Sequence, residues 1–345
     1  VIVFQEQIIE IATNLGGFTP GESDRLRKAL SSRKRAPELL EYKTLFLKRA
    51  QKRGIPEETA KTIFNTLESF AGYGFCEAHA ASFAQTAYKT AYLRCHYPAE
   101  FFAAILNNQP LGYYPPQSVL WEAKHCGVKI VPLNINSSPI ETKGKDNQIY
   151  LGLKLIKSLS TTLLEKIICN RPFKSLTDLD FISPNKLSPL ILSGALDCFS
   201  KSRRSLLWEI WDTPPIPGDF SPWERFLREI MVLDLSPSSH ILEFYRPDLP
   251  SSVLKAKQAL KTSGSILFAG QILKPHTPPT KSGQKVVFFV MEDETGQIDV
   301  TYFPKDQSFD IKEGGVALVS GKMDHSRAPN LLLENITYLG TPKHT

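Results

Sequence analysis

The chain of 345 residues contains no apolar run of the roughly 18–20 residues that a membrane-spanning helix needs. Its first residues also lack the basic segment and the small-residue cleavage site of a secretory signal peptide. The five cysteines are scattered and form no regularly spaced framework, which argues against a disulfide-stapled secreted fold. We therefore expect a cytoplasmic protein that is long enough for two or three domains.

An initiator methionine is lacking as well, since the first residue is Val1. The chain begins in the middle of an apolar run, with no helix cap or turn before it. We expect from this beginning that the sequence is a piece of a longer protein.

Basic charge is concentrated in one short segment. The formal net charge is +6, but the segment from Arg25 to Arg53 has eleven Lys and Arg residues against two acidic ones and carries +9. The rest of the chain is therefore slightly acidic. Such a basic block is typical of contact with polyphosphate or nucleic acid, and the alternative is a solvated helix face. We favour a nucleotide or nucleic-acid partner.

Hydrophobic periodicity predicts a multidomain, mainly α-helical protein with a strand-rich C-terminal part. Helical spacing of apolar residues and the capping pattern of Thr19, Pro20 and Glu22 characterise the first part. The last part contains five strand-like runs with one helical insert, "KDQSFDIKE", between the third and the fourth, which is the plan of a five-stranded OB-type β-barrel. The predicted domains are a helical domain at 1–108, a connector with a short helix and a strand at 109–149, short helices at 150–211, a Pro-rich linker with a connector helix at 212–257, and the barrel at 258–345.

Two cysteines and two histidines fall within "GYGFCEAHAASFAQTAYKTAYLRCHYPAEF". Cys76 and His79 have the spacing of one zinc-ligand pair, but Cys95 and His96 are adjacent and diverge by about 100° on a helix. A Cys/His nucleophile pair would need an oxyanion donor and an orienting group, which the sequence does not identify. We therefore predict neither a metal site nor a catalytic dyad, and we expect Cys95 and Cys126 to pack as small apolar residues.

Four motifs in order resemble the fingers domain of bacterial C-family DNA polymerases, the DNA polymerase III alpha subunits. They are "FQEQ", "DRLRKAL", "GYGFCEAHAASFA" and "HYPAEFFAAILNNQP". Two stretches, "EAHAASF" and "PLGYYPPQSVLWEAKHCGVKIVPLNIN", are more similar to the error-prone, alpha-like branch of that family. Downstream, "YLGLKLIKSLSTTLLEKIICNRPFKSLTDL" resembles the helix-hairpin-helix region of the family, and the C-terminal strands resemble its OB domain.

The hairpin of that region departs from the family pattern. Ser158 and Leu159 stand where the family carries glycine, which favours the close approach of a backbone amide to phosphate. We therefore expect this hairpin to grip DNA weakly.

The resemblance implies nucleotide-binding and DNA-binding residues in the fingers domain. Arg27 and Lys28 occupy the positions of the paired basic residues that neutralise the triphosphate of an incoming nucleotide, and a guanidinium can bond two phosphate oxygens at once. Tyr73 and His79 are expected to line the nucleotide pocket. Three further basic residues could add to that field or contact template phosphate, and the alternative is a solvated helix end; they are Arg33, Lys34 and Arg35.

In the barrel, the resemblance implies that single-stranded template is held by base stacking and phosphate contacts. The stacking candidates are Phe288, Tyr302 and Phe303, and the phosphate candidates are Lys274, Lys281, Lys285, Lys322 and Arg327. However, residues 262–340 contain seven basic against nine acidic residues, which argues against a strong electrostatic grip.

The family's activity is nucleotidyl transfer from a dNTP to the primer 3′-OH, with two Mg²⁺ ions held by palm carboxylates. Those carboxylates precede the motif that corresponds to "FQEQ", so we assign no catalytic residue and no metal ligand in this chain. The acidic "EDE" at 292–294 is expected to be a solvated turn of the barrel.

The sequence thus indicates part of a template-directed, error-prone DNA polymerase that acts in translesion synthesis, DNA replication and repair. Its expected partners are primer–template DNA and dNTP. A sliding clamp and accessory mutagenesis proteins are further partners in the family, but no clean Gln-and-aromatic clamp peptide is present. The alternative is a non-catalytic DNA-binding or scaffold protein that retains the fingers and the OB domain, and a palm on another chain would lie between these two. Whether the chain by itself is an enzyme stays open at this point.

Overall fold

The protein is described by a computed structural model that divides into two compact units, Val1–Tyr92 and Leu93–Thr345. The structure describes all residues except 1, 3, 31–35, 71–75, 113, 213–217, 281–282, 305–309, 327 and 343–345, and it leaves out the side chains of residues 36 and 70. None of the helices in the described ranges has the length and apolarity that crossing a membrane requires.

The first unit is helical, as the periodicity predicts. Its helices are α1 (Gln5–Asn14), α2 (Pro20–Leu30), α3 (Ala36–Lys52), α4 (Glu57–Phe70) and α5 (Glu77–His96), the last of which continues into the second unit. The apolar stripes of α1 to α4 meet in one core, with Ile8, Leu26, Phe46 and Phe64 at its centre.

The predicted start of α2 is confirmed in detail. The Thr19 amide donates to Glu22 Oε2 at 2.8 Å, and the Glu22 amide donates to Thr19 Oγ1 at 3.3 Å, which is a reciprocal capping box. Arg49 of α3 adds a hydrogen bond to Glu22 Oε2 at 2.9 Å, and together these bonds, with Arg49 first, lower the pKa of Glu22 from 4.5 to about 2. The cap thus also ties α2 to α3.

The second unit begins with mixed α/β structure. Its helices are α6 (Pro98–Asn107), α7 (Pro116–His125), α8 (Thr161–Cys169), α9 (Pro184–Leu192), α10 (Arg203–Trp211), α11 (Pro222–Leu233), α12 (Ile241–Tyr245) and α13 (Ala256–Ala259). A small sheet contains β1 (Lys129–Val131), β2 (Lys143–Lys145) and β3 (Gln148–Tyr150) in the order β1-β3-β2. One hydrophobic core extends from Ala99 to Leu235 and includes residues of α6 to α11. The predicted strand in "VKIVPLNIN" is shorter than expected, because Pro132 has no amide to continue the ladder.

The C-terminal strands close into a barrel. They are β4 (Val253–Leu254), β5 (Gly264–His276), β6 (Val287–Asp293), β7 (Gly296–Tyr302), β8 (Val316–Asp324) and β9 (Asn330–Tyr338). The order β5-β6-β7-β9-β8 is closed by pairing of β8 with β5, and β7 runs parallel to β9. This is the predicted five-stranded OB-type barrel, with β4 added at the side of β5. Most of the predicted helical insert, 305–313, lies outside the described residues, and its described part at 310–313 is not helical.

The acidic turn between β6 and β7 is buried, so the prediction of a solvated turn is wrong. Glu292 is 2% exposed and Asp293 is 0% exposed. The physical reason is that partners in the preceding helical region satisfy these carboxylates: Ser118 of α7 donates to Glu292, and Arg246 pairs with Asp293 Oδ2 at 2.6 Å and with Glu294 Oε1 at 3.0 Å. A buried carboxylate without such partners would be costly. The turn therefore docks the barrel on α7 and on the end of α12.

Candidate nucleic-acid interface

The "FQEQ" segment connects the separate motifs of the first unit. Gln5 Oε1 accepts a hydrogen bond from Arg27 Nη1 at 2.9 Å. Glu6 accepts from the Glu77 amide at 3.0 Å and from Cys76 Sγ at 3.3 Å, and these contacts contribute to a lowered pKa of Glu6, with the Glu77 amide as the largest cause. Two neighbouring side chains of α1 therefore hold α2 and the start of α5.

Arg27 and Lys28 form a cationic pair around one carboxylate. Arg27 Nη2 lies 2.9 Å from Asp24 Oδ1, and Lys28 Nζ lies 2.7 Å from Asp24 Oδ2. The two cations lower the pKa of Asp24, Lys28 more than Arg27. The Arg27 side chain is 24% exposed and is held from two sides, whereas Lys28 is 53% exposed. The cluster has a net positive charge and presents a guanidinium with two hydrogen-bond partners beside a more exposed ammonium, which suits a polyanion.

His79 lies on the first turns of α5, next to another aromatic ring. It is exposed, and its ring lies 4.4 Å from that of Phe83 with an interplanar angle of 59°. No residue of α5 is buried, although the helix contains several large apolar side chains. The structure therefore places His79 on a surface where a flat ligand can reach it.

The cysteines match one part of the sequence interpretation and contradict another. All five are free thiols. Cys126 packs against the core of the second unit, as predicted, but Cys95 is exposed on α5, so the packing prediction is wrong for Cys95. Within the described ranges, no group of three or more His, Cys, Asp or Glu side chains could hold a metal ion.

Six of the predicted contact residues lie outside the described residues, so their predicted roles stay predictions. They are Tyr73, Arg33, Lys34, Arg35, Lys281 and Arg327.

The outer face of the barrel carries a groove of about 880 Å³ over β6, β7 and the start of β9. It is lined by Lys274, Pro275, His276, Phe288, Phe289, Val290, Asp299, Val300, Thr301, Glu313 and Asn330. His276 and Phe288 face each other across the β5–β6 ladder and stack, with ring centroids 5.6 Å apart and an interplanar angle of 29°. Lys274 and Phe288 were predicted from the sequence. His276 was not predicted from the sequence. Its position opposite Phe288 could point to it, but that position is known only once the register of β5 and β6 is known.

The other predicted barrel residues have different surroundings. Lys274 Nζ lies 2.7 Å from the centroid of the Tyr114 ring, which is a cation–π contact at the edge of the groove. Lys285 pairs with Asp310 at 2.7 Å, and Tyr302 packs against the barrel core. Lys322 is exposed on β8, outside the groove lining, and Phe303 is 52% exposed just after β7. Among the described members of the predicted barrel set, Lys274 and Phe288 are the two that line this groove.

Two lysines make hydrogen bonds at the hairpin before α8, one through its backbone amide and one through its side chain. Ser158 has φ 70°, a left-handed conformation that glycine adopts without strain. The Lys157 amide donates to the Val232 carbonyl at 2.9 Å, and Lys186 Nζ donates to the Ser158 carbonyl. The family position for glycine is thus occupied by a serine in the backbone conformation that glycine prefers.

Comparison with known protein families finds a match in three regions of the chain. Residues 1–54 match the bacterial DNA polymerase III alpha subunit finger domain, residues 127–206 match a helix-hairpin-helix motif, and residues 266–337 match an OB-fold nucleic acid binding domain.

Curated relatives extend this similarity over most of the chain. An error-prone DNA polymerase of Symbiobacterium thermophilum is 34% identical over 88% of this chain and 35% of its own length. Proteins of the same name from Rhodopirellula baltica and Corynebacterium efficiens are 32% and 33% identical over 95% and 88% of this chain. The chain spans about a third of the length of these relatives. It belongs to the bacterial DNA polymerase III alpha subunit family and is similar to the error-prone members of that family.

Proposed function

We propose that this chain is the nucleotide-handling and DNA-handling part of an error-prone, template-directed DNA polymerase. The proposed reaction is nucleotidyl transfer from a dNTP to the primer 3′-OH. It would serve translesion synthesis during DNA replication and repair, in the cytoplasm. The observation that carries the proposal is the network in which Gln5 and Asp24 hold Arg27 beside Lys28. It joins two family motifs at the position where the incoming triphosphate would be neutralised.

The fixed guanidinium explains how this network would select a triphosphate. Arg27 is already oriented by two partners, so little side-chain entropy is lost when it bonds phosphate oxygens. Lys28 adds a second positive charge one residue along the same helix. His79, with the ring of Phe83 beside it, offers a flat surface for the nucleotide.

We assign no residue of this chain to the chemistry of bond formation. Two Mg²⁺ ions on palm carboxylates would stabilise the attacking and leaving oxygens. The residues present do not fit that site: Asp24 is engaged by Arg27 and Lys28, and Glu6 caps α5. No metal-binding group of His, Cys, Asp or Glu occurs elsewhere among the described residues either. We therefore derive no step through the metal ions.

DNA would be held by the second unit. The stacked His276 and Phe288 suit the bases of a single-stranded template, while the hairpin at Ser158 is where duplex backbone would lie. Primer–template DNA is accordingly the proposed partner. A sliding clamp and accessory mutagenesis proteins remain partners by family alone.

The second candidate is a non-catalytic DNA-binding or scaffold protein that retains the fingers and the OB domain. Nucleotide binding separates the two, because a scaffold has no use for a triphosphate.

The test is a fluorescence titration of the chain with a mant-labelled dATP, with the corresponding monophosphate as a reference ligand. We expect the triphosphate to bind more tightly, and we expect R27Q and K28Q each to weaken its binding at least about tenfold. K61Q, a lysine on α4 that pairs with Glu57, is the matched control and should bind as the unchanged chain does. Equal affinities of R27Q, K28Q and K61Q, or no preference for the triphosphate, would overturn the proposal in favour of the scaffold.

A further inference from the structure

The groove on the barrel is rich in hydrogen-bond acceptors. Asn330 Nδ2 donates to Thr301 Oγ1 at 2.7 Å, while Asn330 Oδ1 is buried and has no hydrogen-bond partner in the described part of the chain. Asp299 lies next to Asn330 in the β7–β9 ladder, is exposed, and has no side-chain partner within the described residues. Glu313 lies at the opposite wall and accepts only the Lys274 amide, at 3.4 Å, among the described residues.

These acceptors make the floor of the groove unsuitable for phosphate. Two carboxylates face the cavity, and the lysine that lines it already contacts the Tyr114 ring. Phosphate oxygens placed against Asp299 would be repelled. The polar groups that fit this floor are hydrogen-bond donors.

An aromatic shelf lies beside the acceptors on the same face of the sheet. Phe288 is paired with Thr301 in the β6–β7 ladder, and Val290 is paired with Asp299. Since alternate residues of a strand share a face, Phe288, Val290, Asp299 and Thr301 lie together on the outer surface, and His276 extends the shelf by stacking on Phe288. Asp299 and Asn330 line the same groove as this shelf.

We infer that the groove takes an unpaired nucleobase that carries an exocyclic amino group and discriminates against thymine. Adenine, cytosine and guanine each present an exocyclic amino group with two hydrogens, which Asp299 and Asn330 Oδ1 can both accept, whereas unpaired thymine offers a single N3–H donor between two carbonyl oxygens. Thymine at this wall can satisfy only one of the two acceptors, and it sets a carbonyl oxygen beside a carboxylate. The inference rests on the proposed function, since it assumes that the barrel binds single-stranded DNA.

The experiment compares equilibrium binding of fluorescein-labelled oligodeoxycytidine and oligothymidine to the full chain by fluorescence anisotropy, at pH 8. A third oligonucleotide contains 2-pyrimidinone, which is cytosine without its amino group. We expect oligodeoxycytidine to bind about tenfold more tightly than the other two, the difference that one good edge contact provides. D299N and N330A should bring the cytidine-to-thymidine ratio close to one. E334Q, which neutralises an exposed carboxylate of β9 outside the groove, is the matched control and should keep the ratio.

The outcomes separate this inference from the proposed function. If the three oligonucleotides bind equally while F288A weakens all of them, the barrel binds single strands and the base preference is wrong. If D299N and N330A keep the full ratio, the preference comes from elsewhere and the assignment to this groove is wrong. If no oligonucleotide binds the chain, both the inference and the template-binding role of the barrel are wrong. Circular dichroism of each variant shows whether it is folded.

Discussion

Gln5 and Arg27 are hydrogen-bonded side chain to side chain, Oε1 to Nη1 at 2.9 Å, across two helices of the first unit. Arg27 is also bonded to Asp24 one turn earlier in α2, so its guanidinium has two fixed anchors. The first motif of the chain thus positions a cation of the second.

The first prediction follows from this anchor. Q5A removes the Gln5 hydrogen bond to Arg27, and we expect the affinity for mant-dATP to fall about tenfold, as for the loss of one hydrogen bond to a charged group. N65A removes a comparable amide-to-cation bond, from Lys43 Nζ to Asn65 Oδ1 at 3.1 Å, and should leave nucleotide affinity unchanged. Equal losses in Q5A and N65A would show that Gln5 only stabilises the fold.

The second prediction concerns the start of α2. T19A removes the acceptor for the Glu22 amide, and we expect the free energy of unfolding to fall by about 1 kcal/mol. Urea unfolding followed by circular dichroism measures this. The control is T44A, because Thr44 Oγ1 donates to the Leu40 carbonyl within α3 and supports no helix end. A T19A protein as stable as T44A would contradict the capping role.

The hairpin provides the third prediction. Ser158 holds φ 70°, so S158G should raise the free energy of unfolding by about 1 kcal/mol, and it should tighten binding to blunt duplex DNA because a glycine amide can approach phosphate more closely. S158A, which keeps the Cβ atom and removes only the hydroxyl, should behave as the unchanged chain. Unaltered stability and duplex affinity in S158G would mean that the serine conformation costs nothing here.

The fourth prediction is a dependence of stability on pH. His240 is 1% exposed, and its burial lowers its pKa from 6.5 to about 4. Because the pKa of His240 is lower in the folded protein, the unfolded chain binds this proton at a higher pH than the folded chain does. Its contribution to stability is therefore complete above about pH 6.5 and is lost as the pH falls towards 4, by roughly 3 kcal/mol in all.

The measurement is the free energy of unfolding of the second unit between pH 7.5 and pH 4.5, followed by tryptophan fluorescence, since the tryptophans lie in that unit. We expect H240Q to lose less stability over this range than the unchanged chain. E334Q, altered at an exposed position of β9, serves as the control and should keep the original slope. An H240Q slope as steep as that of E334Q would assign the acid sensitivity to other groups.

Local sequence signals predicted the helices, the cap at Thr19 and the barrel strands, because each depends on residues a few positions apart. The link between Gln5 and Arg27 joins residues 22 positions apart and was not predicted. The register between distant strands is not fixed by alternation of apolar and polar residues alone. That register places His276 opposite Phe288 and places Asn330 beside Asp299 in the β7–β9 ladder.

The largest errors of the sequence-based predictions concern which residues are buried by contact with another element and which are exposed. The "EDE" turn has the composition of a solvated turn, and its burial depends on Arg246 and Ser118, which belong to helices far away in sequence. Conversely, Cys95 was predicted to pack as a small apolar residue, yet the described structure leaves it exposed on α5. Tertiary partners decide burial in both cases.

The central claim, that this chain handles primer–template DNA for a polymerase, is tested most directly by its affinity for DNA with and without a single-stranded template overhang. Fluorescence anisotropy at low and at physiological salt would give both the preference and its electrostatic part. The account predicts tighter binding to the overhang substrate than to blunt duplex, weakening with salt, and loss of the overhang preference in F288A. Equal affinity for the two substrates, or a preference that F288A leaves intact, would contradict it.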